Sequence, residues 1–223
     1  HSDAGGNAEA VASLTRAMVV QPKLMVEDLF YNSPSLYPAM EYLKDFVPRL
    51  IQAAERVHPP EDAVEAATLQ EKLDTLIVSG GGQPAMQLLL QTAMRSSEFL
   101  KLPSVQADAA IMDFSRKTAK TLERTGKPAM LKVAELLTNV ANLPEATPPS
   151  PDLVTFTSLR VEGLAALAAE RRDEALALLA KAGFLLPDYV LSSEALAYPT
   201  LVSLSRDLLE VVRKLDLSRC RER

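Results

Sequence analysis

The segment from Phe156 to Asp188 places the strongest constraint on the fold, because it is apolar around most of its circumference. Its sequence reads as two helices rich in alanine and leucine, FTSLRVEGLAALAAERRDEALALLAKAGFLLPD. A helix at a protein surface has one apolar stripe, whereas a helix that is apolar on all sides is buried by several neighbours. We therefore predict that this segment lies near the centre of an all-α fold.

Small residues and one proline occur at regular intervals in this segment, namely Gly163, Ala175, Ala182 and Pro187. This spacing resembles one unit of the tetratricopeptide repeat family, a helix–turn–helix of about 34 residues with small residues where the helices cross. The sequence departs from the family at Leu159, where an aromatic residue is usual, and at Glu162, where a leucine is usual. The resemblance implies a helical hairpin with a close crossing at Gly163 and Ala175.

The rest of the chain contains no second unit with the same spacing, so a regular repeat array is not expected. In peptide-binding members of the family, polar or basic side chains line the inner face of the first helix, where this chain has only Arg160. The resemblance then implies that this inner face packs on the protein's own helices or on a permanent partner subunit. The predicted fold is an irregular multi-helix array or bundle with one tetratricopeptide-like hairpin in its C-terminal part.

Composition narrows the class of protein further. Glycine is scarce (8 of 223 residues), aromatic residues make up 5% and tryptophan is absent, while helix formers are abundant. The net charge of −5 argues against nucleic-acid binding, which requires a basic surface. No apolar run is long enough to span a membrane, and the single cysteine, Cys220, excludes an intrachain disulfide. We expect a soluble protein.

Prolines and glycines divide the chain into blocks. Four prolines in the sequence PEATPPSPD predict a linker at 144–152, between an N-terminal helical block at 1–143 and a C-terminal block at 153–223. Gly80 and Gly126 are predicted to end helices. Ser104 is predicted to cap a helix running from Val105 to Thr125.

The residue pattern contains no recognisable catalytic, metal or cofactor site. The only histidines are His1 and His58, and we expect His58 to be a solvated residue at a helix end. There is no C-x-x-C, no H-E-x-x-H and no calcium loop. The pair formed by Glu71 and Asp74 is predicted to lie on a water-facing side of its helix. The glycine triplet at 80–82 follows a helix, so a helix end is favoured over a phosphate loop.

One exposed feature stands out in this acidic protein. Arg116, Lys120 and Arg124 share a helical face at four-residue spacing, with Lys117 beside them, and we call these four residues the basic stripe. A solvated helix face is one interpretation. The other is a binding surface for an acidic protein or for anionic lipid headgroups. Nucleic acid is disfavoured because no aromatic residues are interleaved with the charges.

Taken together, these observations predict a non-catalytic interaction or scaffold protein, an adaptor or accessory subunit whose partners are other protein subunits. The alternatives are an enzyme or small-molecule-binding regulator with a pocket between the helical blocks, or a cargo-binding chaperone. The chain begins HSDAGGN without a methionine. This start fits a tagged cytoplasmic protein as well as a processed organellar one, so the compartment stays open.

Overall fold

The computed structural model describes residues 2–141 and 149–220, and these residues form helices and no β-strand. The prediction of an all-α fold is therefore confirmed. The first eight α-helices are α1 (Ser2–Val20), α2 (Asp28–Tyr31), α3 (Tyr37–Arg56), α4 (Glu61–Val78), α5 (Gly82–Arg95), α6 (Pro103–Gln106), α7 (Ala109–Glu123) and α8 (Pro128–Ala141). The remaining five are α9 (Pro151–Ala168), α10 (Arg172–Leu185), α11 (Pro187–Val190), α12 (Ser193–Leu196) and α13 (Pro199–Val212). Short 3₁₀ helices lie at Pro22–Val26, Phe99–Lys101 and Leu217–Arg219. Among the described residues, no helix is long and apolar enough to cross a membrane.

Proline and glycine set many of these helix ends. Proline is the first residue of α6, α8, α9, α11 and α13, where its missing N–H costs no helical hydrogen bond. Gly80 and Gly126 follow α4 and α7 with φ of 78° and 64°, a region that side chains other than glycine rarely adopt. The Gly81 amide donates to the Leu76 carbonyl at 2.8 Å and closes the end of α4. Both predicted glycine ends are confirmed.

The chain forms two compact units that are not divided at the proline-rich segment. One unit comprises His1–Ala67 with Ala169–Arg223, and the other comprises Thr68–Ala168. The boundary predicted from the sequence was the linker at 144–152. Residues 144–148 of that segment lie outside the described residues, and Pro151 already begins α9. A proline-rich segment shows where a helix must stop, whereas tertiary packing decides which helices share a core.

The first unit is built on four long helices, α1, α3, α10 and α13, which pack on one another. Its core contains the fully buried side chains of Met18, Phe46, Leu50 and Leu208. Pro48 lies inside α3, which continues through the proline as one helix from Tyr37 to Arg56. Phe46, Val47 and Leu50 around the proline are buried, and this burial offsets the lost backbone hydrogen bond.

The second unit contains most of α4 together with α5 to α9. Helices α7 and α8 pack as neighbours, and α5 packs against α8. The largest buried side chains of this unit are Leu73, Leu89, Leu100, Ile111, Leu137 and Phe156. Large apolar side chains thus fill this core, as the helical periods predict.

The two helices of the apolar segment are present as α9 and α10, but they belong to different units. Their packing as a tetratricopeptide-like hairpin stays a prediction. The close approach expected at Gly163 is wrong: a Cβ added there would meet no atom within 4 Å. The tight position is instead Gly183 on α10, where an added Cβ would lie 2.2 Å from Cε1 of Phe46 on α3.

Glu170, in the three-residue connection between α9 and α10, has a φ of 59°. This left-handed conformation strains a residue that carries a Cβ and costs glycine little. We expect Glu170→Gly to raise the free energy of unfolding by about 0.5–1 kcal/mol, as measured by urea denaturation. The same substitution at Glu65, an exposed residue inside α4, should lower it by about 0.5–1 kcal/mol. Equal losses in the two variants would contradict the strain assigned to Glu170.

Candidate functional site

The basic stripe lies on the exposed side of α7 and at its C-terminal end. The opposite side of the helix is buried through Ile111, Met112, Ser115, Thr118, Ala119 and Leu122. Arg116, Lys117, Lys120 and Arg124 are all exposed. The helical period thus places the four side chains on a solvent-facing surface, as predicted.

Three of these four cations have no acidic partner among the described residues. Arg116 pairs with Asp113, with Nη1 2.6 Å from Oδ1, and its Nη2 donates to the Ala141 carbonyl at 3.4 Å. Lys117, Lys120 and Arg124 form no ion pair within the described part of the chain. The placement of Lys120 and Arg124 is partly structural, because cations near a helix C-terminus interact favourably with the helix dipole. Their positive charge is nevertheless left available to a partner.

The N-terminus of α7 is held by a residue that the sequence analysis did not single out. Asp108 is the N-cap, and its Oδ1 accepts hydrogen bonds from the amides of Ala110 at 3.1 Å and Ile111 at 3.3 Å. The predicted helix from Val105 to Thr125 is in fact divided, because α6 ends at Gln106 and α7 begins at Ala109. Aspartate is a common N-cap residue, so Asp108 could have been recognised as the cap from the sequence. Ser104 after the preceding proline was the competing cap candidate.

Behind this cap lies a buried cluster of charged groups within the second unit. Arg160 Nη2 is 2.7 Å from Oδ2 of Asp74 and 2.8 Å from Oδ2 of Asp108. Gln70 Nε2 donates to the same Asp108 oxygen at 3.1 Å and to the Ser104 carbonyl at 3.1 Å. The side chain of Arg160 is 5% exposed, and those of both aspartates are 0% exposed. Helices α4, α7 and α9 are therefore connected by charge-assisted contacts that exclude water.

The structure corrects one expectation drawn from the sequence. Asp74 was predicted to face water together with Glu71, yet both residues are buried. The acidic residue can lie on a buried helix face because a guanidinium from another helix pairs with it. Periodicity along one helix does not show such a partner. Arg160 forms its ion pairs within the second unit. Packing of the whole inner face on the protein's own helices or on a permanent partner subunit stays a prediction.

Burial also changes the acidity of Asp74. Removal from water raises the pKa of Asp74 to about 7; Arg160 opposes this rise and the nearby Asp108 adds to it. A carboxyl group that gains and loses its proton near neutral pH can respond to the ordinary pH range. The side chains of Asp74 and Asp108 are both fully buried, so a change in the protonation of Asp74 affects the packing of the protein itself.

The remaining candidate positions have simple structural roles. His58 is exposed after the end of α3, as predicted. Among the described residues, no group of three or more histidine, cysteine or acidic side chains could hold a metal ion. Cys220 is a free thiol of intermediate exposure.

The described residues thus define an all-α protein with one buried ionic cluster and one exposed basic helix face. No protein-family model, curated protein or solved structure matches the chain.

Proposed function

We propose that this protein is a non-catalytic interaction subunit whose basic stripe binds an acidic surface of a partner protein. The observation that carries the proposal is the set of three exposed cations on α7, Lys117, Lys120 and Arg124, that have no acidic partner among the described residues. The chain has a net charge of −5, so a helix face that carries only positive charges produces a local electrostatic potential opposite in sign to that of the whole molecule. Such a face attracts an acidic surface.

The stripe lies on a rigid element, which favours specific binding. Its helix is anchored by a capped N-terminus and by a buried face, so the cations are held on a defined surface. An acidic helix or loop with carboxylates at matching intervals is the complementary partner chemistry. A tetratricopeptide-like hairpin at 156–188 would add an interaction element of a second kind, typical of scaffold proteins.

The charge reversal Lys117→Glu, Lys120→Glu and Arg124→Glu tests the stripe. Arg116 is kept, because Glu at that position would face Asp113 and alter local packing. We expect the triple variant to recover about tenfold less of an acidic partner protein than the wild type recovers, with the far-ultraviolet circular dichroism spectrum unchanged. Binding of the wild-type protein should weaken as salt rises from about 50 to about 300 mM, because screening shortens the range of these charges. The measurement is a quantitative pull-down from the native source at both salt concentrations.

A second triple variant controls for the change in net charge. Arg56, Arg95 and Arg206 are exposed residues on three other helices, and their reversal to Glu changes the net charge by the same amount. The control should retain the partner. Equal recovery of the partner by all three proteins at low salt would overturn the proposal. Binding of the wild type alone to vesicles of phosphatidylserine, without a protein partner, would assign the stripe to lipid headgroups instead.

A further inference from the structure

The buried cluster holds more negative than positive charge if every group is ionised. It contains one guanidinium, from Arg160, and two carboxyl groups, from Asp74 and Asp108, at sites where both carboxyl side chains are 0% exposed. An uncompensated charge without access to water is costly, and a buried acid avoids that cost by taking up a proton. The geometry indicates which of the two acids does so.

Asp108 has the environment of an ionised carboxylate. Its Oδ1 accepts from two backbone amides at the start of α7, and its Oδ2 accepts from Gln70 and Arg160. All four groups are hydrogen-bond donors, so they favour the ionised form of the acid over the protonated form. The N-terminus of a helix also favours negative charge. Asp108 is therefore the member of the pair that remains charged.

Asp74 has the opposite environment. Its Oδ2 contacts Nη2 of Arg160, the same nitrogen that contacts Asp108. Its Oδ1 has no hydrogen-bond donor among the described residues. The Oδ2 atoms of Asp74 and Asp108 lie 2.7 and 2.8 Å from the same Arg160 nitrogen, so the two carboxyl groups are neighbours and the negative charge of Asp108 favours a proton on Asp74. The proton thus compensates the second negative charge.

Few other charged groups are placed to change this balance. On α4 itself Glu71 is buried and Lys72 is exposed. The other charged side chains of the neighbouring helices point to solvent, and they are Arg95 on α5, Asp113, Arg116, Lys117, Lys120 and Glu123 on α7, Lys132 and Glu135 on α8, and Asp152 and Glu162 on α9. The charges that act on Asp74 are those of Arg160 and Asp108.

We propose that Asp74 is the protonated member of this buried pair, and that release of its proton weakens the contact of α4 with Arg160 on α9 and with the start of α7. With the proton in place the cluster is neutral, since Arg160 balances Asp108. After its release, two buried carboxylates compete for one guanidinium. The second unit thereby gains a built-in response to pH.

The direct test follows the carboxyl carbons of aspartate by ¹³C NMR in the intact protein from pH 4 to pH 9. The Asp74 resonance should keep its protonated position at pH 5 and change with a midpoint near pH 7, instead of near the ordinary value of 3.8. In Asp108→Asn, the asparagine still caps α7, and Arg160 is left to Asp74 alone. The Asp74 midpoint should then fall by more than one pH unit.

The effect on folding is tested by comparing the wild type with Asp74→Asn in urea. The folded protein holds one proton more than the unfolded chain between about pH 4 and pH 7, so its stability falls as the pH rises through this range. Relative to Asp74→Asn, the unfolding equilibrium constant of the wild type should rise by up to about tenfold per pH unit there and level off above it. The protection factors of the α4 amides, which correct for the intrinsic rise of hydrogen exchange with pH, should fall above neutral pH in the wild type and stay constant in Asp74→Asn.

Several results would overturn the proposal. One is an Asp74 carboxyl group that titrates near its ordinary value in the wild type. Another is an Asp108 resonance that titrates near neutral pH in its place. A third is a pH dependence of unfolding that is the same in the wild type and in Asp74→Asn.

Discussion

Replacing Arg160 by leucine is expected to lower the free energy of unfolding by about 3–5 kcal/mol. The substitution removes the guanidinium that lies 2.7 Å from Asp74 and 2.8 Å from Asp108, and leaves Asp108 buried without its countercharge. The loss should appear in urea denaturation at neutral pH. Loss of this one side chain is costly because the remaining groups cannot reach water.

A second substitution shows whether the loss arises from charge. In Arg160→Leu with Asp108→Asn, the asparagine caps α7 without a charge, and Asp74 stays protonated, so the cluster is neutral again. We expect the double variant to recover most of the lost stability, and Arg160→Leu with Asp74→Asn to recover little. Arg49→Ala, which breaks an exposed pair with Asp45, should cost about 1 kcal/mol or less. An Arg160→Leu loss no larger than that of Arg49→Ala would contradict the role of the cluster.

Gly183→Ala is expected to destabilise the first unit, because the new methyl group has no room. The added Cβ would lie 2.2, 2.5 and 3.0 Å from three carbons of the Phe46 ring. That ring cannot move aside freely, since it stacks on Tyr42 at 5.3 Å and Tyr42 in turn contacts Phe184. We expect the clash to cost about 1–3 kcal/mol, read as a lower urea midpoint or a lower melting temperature.

Gly163→Ala is the matched control, since it makes the same change at another buried helix glycine. A Cβ at that position meets nothing within 4 Å. Alanine is a better helix former than glycine, so Gly163→Ala should leave the stability unchanged or raise it by up to about 1 kcal/mol. Phe46→Leu combined with Gly183→Ala should cost less than the sum of the two single changes, because a smaller side chain removes the clash. Equal effects of alanine at the two glycines would show that the contact with Phe46 is not tight.

The sequence by itself determined where most helices begin and end. Proline at a first helical position and glycine with positive φ act through the local backbone, so Gly80, Gly126 and Pro128 show their role without knowledge of the fold. Helical periodicity likewise predicts that the basic stripe is exposed, because the opposite face of α7 carries the apolar residues that the core requires. Both signals extend over only a few residues.

Tertiary structure alone decided which residues of distant helices meet. Asp74, Asp108 and Arg160 come from three separate segments, so a carboxylate that looks solvated on its own helix is buried once a guanidinium from α9 reaches it. Gly163 and Gly183 are both glycines inside alanine-rich helices, and only the position of Phe46 on α3 makes one of them tight. The division of the chain into units has the same cause. The free energy of packing depends on contacts between distant segments, and no single segment of the sequence specifies those contacts.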